Sequence, residues 1–390
     1  MRPIRQAGGS GSLDVTGIEG VSGSRFTDGN RVTLLWKERE SFSIIFDAVR
    51  GARRLICLEF YIFRNDETGT ELAGILKQKA AEGVRVCILY DHFGSLFTPG
   101  SFWRDLLHAG VEVRASRPFK WTSPLHYVHR DHTKLIIIDG RIAFTGGLNI
   151  ADEYRGYYAR RKGSGWRDTG IFLEGPAAAD LLDRFRRTWQ IWKGRPFAPC
   201  DRPLPFPDGI PVLPIFTNSA RSRRRMRKLL YFSIGSARRS IFLTTAYFTP
   251  SWRMAEVLTD AVKRGVDVRL MLPGLSDISS AHYAGRAFFT RLLKAGVRIY
   301  NYRGVILHAK TAVFDNEWSV IGSTNLDFQS LRRNDEGNVG ILKAEFGGLM
   351  SYIFEQDMLT ADEITPEAWA GRPWTEKVKE QFYALFRRRL

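Results

Sequence analysis

One polar motif occurs twice in this 390-residue sequence. The first copy comprises His132, Lys134, Asp139 and Asn149, and the second comprises His308, Lys310, Asp315 and Asn325. Both copies fit the pattern His-x-Lys-x4-Asp-x6-Gly-(Gly/Ser)-x-Asn. A single His-x-Lys on a strand is usually just a polar surface position. Because the longer pattern occurs twice, it indicates a functional site.

These residue types suit the cleavage and transfer of a phosphodiester. Such a reaction needs a nucleophile, an acid for the leaving alkoxide and cations around the charge that develops on phosphorus. We expect one neutral imidazole to attack phosphorus and form a phosphohistidine, while the other, protonated, donates to the leaving oxygen. The lysines and asparagines would hold the equatorial oxygens. The two histidines would exchange roles when the intermediate is resolved.

Each imidazole also needs an acceptor that orients its second nitrogen. Asp168 and Glu336 are the candidates, since each opens a strand-like run after its own motif. We therefore expect each half to carry its own carboxylate.

Asp139 and Asp315 complete the motif and are kept with the catalytic set. An alternative, which we favour, is that they close a turn before Gly140 and Asn316.

A metal site is not expected. His126, His129 and His132 lie close together but lack a Cys, Asp or Glu at ligand spacing, and the three cysteines lie far apart. No cofactor is predicted, and the cysteine pattern favours a reducing compartment.

The elements that position the motif alternate between short apolar runs and longer helical patterns, which predicts an α/β fold. On a strand, residues two apart share a face, so each His and Lys point the same way. Three further stretches also recur in the same order in both halves, which indicates a duplicated fold. One of these pairs is RRLICLEFYIF with RRSIFLTTAYF.

The chain divides into five predicted segments. Residues 1–30 form a flexible lead-in, 31–195 the first repeat, 196–214 a linker, 215–358 the second repeat, and 359–390 a basic amphipathic segment. The linker holds seven of the sixteen prolines, which argues against a helix or central strand there.

At the paired motifs the sequence resembles the phospholipase D superfamily, over approximately residues 30–358. It looks most like bacterial cardiolipin synthases that lack N-terminal membrane helices, on the stretches IDGRIAFTGGLNIADEY, WRDTGIFLEGP and LHAKTAVFDNEWSVIGSTNLDFQSLRRNDE. The resemblance implies two similar repeats, each a mixed β-sheet flanked by helices, with one active site at their pseudo-twofold interface. The family's Arg before the first His is present as Arg130, whereas the Asn often found two residues earlier is replaced by Val128.

By that resemblance, the substrates are two phosphatidylglycerol molecules, one of which receives the phosphatidyl group while glycerol is released. His132 would be the nucleophile and His308 the acid and base. A hydrolytic phospholipase D and a nuclease stay open as alternatives, because the same chemistry serves both. A membrane-binding protein with decayed sites is opposed by the two intact motifs.

The charge of the chain indicates an anionic partner. Lys and Arg number 58 against 41 Asp and Glu, a net charge of +17, which fits nucleic acid or acidic lipid. Aromatic residues in FGSLFTPGSFW and FKWTSPLHY favour lipid, and nucleic acid is the less expected partner. No apolar run reaches the roughly 18–20 residues of a membrane span. We therefore expect a peripheral protein on the cytoplasmic face of a bacterial membrane.

The C-terminal segment carries an apolar stripe at helical spacing. Its members are Trp374, Val378, Phe382, Leu385 and Phe386, followed by three arginines. Such a helix either lies on an anionic membrane or packs its apolar side on the protein's own core.

Overall fold

The computed structural model describes residues 13–119, 121, 129–156 and 165–386. It confirms the predicted α/β class, with one large mixed sheet flanked by helices.

An N-terminal helix and the first repeat make up the thirteen elements that the structure describes up to residue 191. In chain order they are α1 (Val15–Ser22), β1 (Thr27–Leu35), α2 (Glu38–Arg50), β2 (Leu55–Phe60), α3 (Glu67–Ala81), β3 (Arg85–Asp91), α4 (Gly100–His108), β4 (Glu112–Ser116), β5 (Lys134–Ile138), β6 (Ile142–Gly146), α5 (Asp152–Arg155), β7 (Gly170–Glu174) and α6 (Pro176–Ile191).

The second repeat and the C-terminal segment follow the same order and then extend it. Their elements are β8 (Ile210–Thr217), α7 (Ala220–Ser236), β9 (Ser240–Thr244), α8 (Trp252–Lys263), β10 (Asp267–Pro273), α9 (Ser279–Arg286), α10 (Phe289–Lys294), β11 (Arg298–Tyr302), β12 (Thr311–Phe314), β13 (Trp318–Gly322), α11 (Phe328–Arg332), β14 (Glu336–Leu342), α12 (Ala344–Leu359), β15 (Ala361–Glu363), α13 (Pro366–Ala370) and α14 (Trp374–Leu385).

The two repeats share a single sheet that is continuous across the described residues. Its strand order is β15-β11-β10-β9-β12-β13-β14-β8-β1-β7-β6-β5-β2-β3-β4. Read outward from β1, the strands of the first repeat follow the same sequence of equivalent strands as those of the second repeat read outward from β8. β15 is an additional edge strand in the second repeat. This mirrored order is the pseudo-twofold relation, and it joins the repeats through the pairing of β1 with β8.

Both motif copies begin at one edge of this sheet, which we call the site edge. In the first repeat, Lys134 at the start of β5 pairs with Phe60 at the end of β2, to which β3 is parallel. In the second repeat, Thr311 at the start of β12 pairs with Thr244 at the end of β9. The apolar residues of β5, Leu135 to Ile138, are all buried and fix the strand in the core.

The flexible lead-in predicted for residues 1–30 is wrong over its second half. α1 begins after Asp14, whose carboxylate accepts the Thr16 N–H at 3.0 Å, and ends at Gly23, whose φ is 66°. Leu13 and Ile18 are buried in one apolar cluster with residues of α7. Since this burial depends on a helix more than 200 residues away, the local composition did not reveal it. Residues 1–12 lie outside the described part of the chain.

The predicted linker is wrong at its C-terminal end, where residues 210–214 belong to β8. β8 is a central strand even though it contains Pro211 and Pro214. The register with β1 ends at Val212, whereas the register with β14 runs on to Thr217. Because Pro214 lies beyond the β1 pairing, its missing N–H removes no ladder hydrogen bond on that side.

Among the described residues, no helix combines the length and apolar character that a membrane crossing requires.

Candidate active site

The two repeats meet at the site edge through main-chain bridges that pass beside both histidines. Parallel bridges join Asp131 with Asp335 and Arg167 with Leu307. The His132 N–H donates to the Asp335 carbonyl at 2.8 Å, and the His308 N–H donates to the Arg167 carbonyl at 2.7 Å. Each histidine is thus held beside the residue that precedes the other repeat's carboxylate.

The carboxylates consequently cross over between the repeats. His132 Nδ1 lies 3.0 Å from Glu336 Oε2, and His308 Nδ1 lies 2.6 Å from Asp168 Oδ2. We expected each carboxylate to orient the histidine of its own half, and that pairing is wrong. Since a carboxylate accepts the Nδ1 proton, Nε2 of each ring is the unprotonated nitrogen. Neither repeat contains a complete histidine–carboxylate pair on its own.

The two lysines are buried beside their histidines. Lys134 Nζ donates to the His132 carbonyl at 2.7 Å, and Lys310 Nζ donates to the His308 carbonyl. Lys310 Nζ also lies 2.6 Å from His308 Nδ1 and 4.0 Å from Asp168 Oδ2. Because the Nδ1 proton is directed at Asp168, this nitrogen does not accept from Lys310, and the hydrogen bond of Lys310 is the one to the His308 carbonyl.

Burial is the largest single influence on the pKa values of the site residues. It lowers the pKa of Lys134 to about 7 and that of Lys310 to about 8. Burial, followed by the charge of Lys310, lowers the pKa of His308 to about 3. Burial and Lys134 likewise lower the pKa of His132. Burial raises the pKa of Asp168, but Lys310 and His308 outweigh it and the net shift is downward.

The asparagines are oriented by their carbonyl oxygens. Asn149 Oδ1 accepts the Ile62 N–H at 3.1 Å, and Asn325 Oδ1 accepts the Tyr247 N–H at 3.3 Å and the Thr245 hydroxyl at 3.2 Å. The amide NH₂ groups therefore point away from these anchors. Asn149 Nδ2 is buried, and no acceptor in the described residues is in hydrogen-bonding geometry with it. A buried donor of this kind is suited to a phosphoryl oxygen.

Asp139 and Asp315 lie at the opposite ends of their strands from the lysines. Asp139 accepts the N–H groups of Arg53, Arg54 and Leu55 at 2.8–2.9 Å. Asp315 holds the equivalent turn before β9 in the same way. Their φ angles are 53° and 55°, typical of a tight turn. A five-residue strand is about 16 Å long, so these carboxylates are remote from the histidines. The turn-closing alternative, and not a catalytic role, fits these contacts.

The Gly-(Gly/Ser) turn of each motif lies against a carboxylate of the site. A Cβ on Gly147 would lie 2.0 Å from Asp168 Oδ1, so the carboxylate fills that space. In the second copy, the Ser323 hydroxyl donates to Glu336 Oε2 at 2.5 Å. Ser323 is a site residue that sequence reasoning missed, although its position in the motif is a usable signal.

Aromatic rings close the site around both imidazoles, and these residues were also missed. The Tyr61 ring lies edge-on to His132 at 4.9 Å between centroids. Tyr154 and Trp166 lie 5.2 and 5.3 Å from the His308 ring. Tyr154 and Trp166 are buried and Tyr61 is half-buried, so the rings limit the access of water and strengthen charge interactions in the site.

Within the histidine triplet of the first motif, His129 and His132 contact different groups. His129 Nδ1 lies 2.9 Å from the Arg333 carbonyl, and His132 Nδ1 contacts Glu336. His126 and Val128 lie outside the described residues.

Comparison with known proteins identifies the family and the fold of this chain. The family described as "Cardiolipin synthase, PLD-like domain" matches residues 45–189 and 230–358. Cardiolipin synthase A of Pseudomonas putida (strain W619) is 35% identical over 340 residues, which cover 87% of this chain and 70% of that protein. Cardiolipin synthase of Halalkalibacterium halodurans is 35% identical over 358 residues, covering 89% and 70%.

Among solved structures, phosphatidylserine synthase of Haemophilus influenzae Rd KW20 is similar with a TM-score of 0.74. The similarity covers 96% of this chain and 99% of that one at 12% identity, so it shows the shared fold.

Proposed function

Because the chain belongs to the cardiolipin synthase family, and so is a phosphatidyltransferase of the phospholipase D superfamily, we propose that it makes cardiolipin from two phosphatidylglycerol molecules. The observation that carries the proposal is the crossed pair of histidine–carboxylate contacts, which gives one site two imidazoles with available Nε2 atoms. Two such groups are what a two-step transfer through a covalent intermediate requires.

In the first step, His132 Nε2 attacks the phosphorus of phosphatidylglycerol. The bond from phosphorus to the glycerol oxygen breaks, and His308 Nε2 donates a proton to that oxygen, releasing glycerol. Glu336 holds the Nδ1 proton of His132, so the positive charge that forms on the phosphorylated ring is stabilised. Lys134, Lys310 and the two asparagines hold the charged oxygens on phosphorus.

In the second step, a hydroxyl of the second phosphatidylglycerol gives its proton to His308 and attacks phosphorus. The bond to His132 Nε2 breaks, and cardiolipin is released. Both histidines are returned to their starting protonation states. Hydrolytic phospholipase D activity would follow the same path with water in place of the lipid alcohol.

The acid role of His308 depends on the bound substrate. Burial and the charge of Lys310 lower its pKa to about 3, so the ring is neutral before substrate binds. An anionic phosphodiester placed beside His308 and Lys310 favours the protonated ring and raises this pKa. We therefore propose that substrate binding and protonation of His308 are coupled.

The reaction itself is tested by incubating the full chain with phosphatidylglycerol in detergent and a chelator, then assaying cardiolipin and glycerol. We expect both products, and we expect His132→Ala to abolish them. His108→Ala, at an exposed histidine at the end of α4, is the matched control and should remain active. Chelator-resistant cleavage of DNA without either lipid product would overturn the proposal in favour of a nuclease.

A further inference from the structure

The C-terminal helix α14 turns its apolar side outward. The exposed fractions along that side are 73% for Trp374, 56% for Val378, 55% for Phe382, 78% for Leu385 and 41% for Phe386. Glu380, on the opposite side, is fully buried. We call these five exposed residues the α14 stripe. Of the two sequence interpretations, packing of the stripe on the protein's own core is therefore wrong.

The orientation of α14 is fixed by buried ion pairs. Glu380 Oε1 accepts from Arg286 Nε at 3.1 Å, and Glu380 Oε2 accepts from an Arg372 guanidinium nitrogen at 2.7 Å. The rings of Tyr283 and Tyr383 stack at 5.7 Å between centroids. Rotating the helix to bury the stripe would leave Glu380 and two guanidinium groups without these partners. The outward stripe is thus a built feature of the fold.

α14 packs against α9, and α9 follows the end of β10, which lies at the site edge beside the end of β9, so α14 lies near this edge. The loop before α9 contains Asp277, whose carboxylate accepts the Tyr247 hydroxyl at 2.8 Å. The Tyr247 ring in turn lies 6.4 Å from that of His308. In the same loop, Leu275 and Ile278 are 57% and 41% exposed. A short series of contacts therefore links the stripe to the second histidine.

The first repeat presents exposed apolar side chains at the same edge. After β3, Phe93, Leu96 and Phe97 are 44%, 53% and 91% exposed, and Trp121 after β4 is 88% exposed. The Arg130 guanidinium lies 4.2 Å from the centre of the Phe93 ring. Both repeats thus place large apolar side chains beside the mouth of the site.

We propose that the α14 stripe and these loops dock on an anionic lipid bilayer and present the site edge to it. This inference rests on the proposed function, since the substrate is then a lipid of that bilayer. A helix of 12 residues is about 18 Å long and suits a position in the plane of the interface. The aromatic residues of the α14 stripe are of the type that lies at the headgroup level of a bilayer. The net charge of +17 complements anionic lipid. Arg387 to Arg389 follow in the sequence and lie outside the described residues.

Vesicle flotation with the full chain tests the docking surface. Vesicles of phosphatidylglycerol mixed with phosphatidylcholine should bind the chain, and vesicles of phosphatidylcholine alone should bind it less. Leu385→Asp should weaken binding about tenfold or more, because an apolar side chain leaves the bilayer. The matched control is Leu204→Asp. Leu204 is 87% exposed and lies near Phe206, which bonds Gly29 at the opposite end of β1 from the site edge.

Equal vesicle binding by wild type and Leu385→Asp would overturn the docking proposal. A dimer that Leu385→Asp converts to a monomer in sedimentation would also overturn it, because the stripe would then be a subunit interface. Turnover of short-chain phosphatidylglycerol below its micelle concentration separates the two proposals. Leu385→Asp should keep this activity. Absence of turnover in wild type, with binding still lost in Leu385→Asp, would refute the proposed function and leave the docking surface intact.

Discussion

The His132 and His308 halves of the site share one motif but differ in the groups around their carboxylates. Glu336, which bonds His132, also accepts the Ser323 hydroxyl. Asp168 bonds His308 more closely, packs on Gly147 where a side chain would not fit, and lies 4.0 Å from Lys310. The duplication thus produced two imidazoles in different electrostatic surroundings, and this difference allows the two halves to take different roles.

The residues that precede the two carboxylates also differ between the repeats, because one is an arginine and the other an aspartate. Arg167 precedes Asp168 and pairs with Asp357 through two bonds of 2.9 Å. Asp335 precedes Glu336 and pairs with Arg223 at 3.1 Å and with Arg117. Arg167 and Asp335 occupy equivalent positions in the main-chain bridges between the repeats. One position is therefore held by an arginine that pairs with an aspartate, and the other by an aspartate that pairs with arginines.

The largest expected effect separates the two histidines. His132→Ala and His308→Ala should each slow turnover of phosphatidylglycerol by about 10⁴-fold or more. A substrate with p-nitrophenol as leaving group needs little proton donation. With this substrate, we expect His308→Ala to keep a burst of nitrophenol and to trap an acid-labile phosphoenzyme, and His132→Ala to give neither. If His132→Ala gave a burst and His308→Ala did not, His308 would be the nucleophile and His132 the acid and base.

Replacing each carboxylate should have the same kind of effect as replacing the histidine that it contacts. Asp168→Asn and Glu336→Gln should each reduce turnover of phosphatidylglycerol by about 10³-fold. With the nitrophenyl substrate, Asp168→Asn should keep the burst, because it affects the acid His308, and Glu336→Gln should lose it. The reverse pattern would contradict the crossed pairing.

The site should be pH-sensitive through its buried lysines. Their pKa values of about 7 and about 8 lie far below the ordinary value, so the cations that hold phosphate are lost as pH rises through this range. We therefore expect kcat/KM to fall as pH rises above about 7 to 8. The fall should be up to about tenfold per pH unit for each lysine. A kcat/KM profile that stays flat to pH 10 would show that both lysines remain charged.

Exchanging the Gly/Ser difference between the copies tests the asymmetry directly. Ser323→Gly gives the second copy the Gly-Gly pair of the first and removes one donor to Glu336, so we expect about a tenfold loss of kcat. Gly147→Ser should be more severe than Ser323→Gly, because its Cβ would displace the Asp168 carboxylate. Equal effects of the two changes would mean that the turns are interchangeable.

The smallest expected effect on chemistry comes from Asp139 and Asp315. Replacing either by Ala leaves three backbone N–H groups without their acceptor and should lower the free energy of unfolding by about 3 kcal/mol. We expect kcat of the folded protein to change little. Urea unfolding and active-site titration measure the two quantities separately. A large loss of kcat at unchanged stability would restore a catalytic role.

The sequence determined the α/β class, the duplication, and the histidines, lysines, asparagines and two carboxylates that meet in the site. These follow from local periodicity and from a spacing that occurs twice, and both are readable without coordinates. The choice of Asp168 and Glu336 as partners of the histidines also came from the sequence, because each opens a strand after its motif. The spacing of these carboxylates in the sequence did not reveal which histidine each one contacts.

Tertiary structure decided the crossed pairing, the distant backbone N–H groups that Asp139 and Asp315 accept, the helix at Val15–Ser22, the proline-containing strand β8 and the outward side of α14. Each depends on partners far away in the chain. The bridges at Asp335 and Arg167 bring the opposite repeat to each histidine, and Arg286 holds Glu380 inside. Composition and periodicity describe a segment by itself, whereas these outcomes follow from which surface the segment meets.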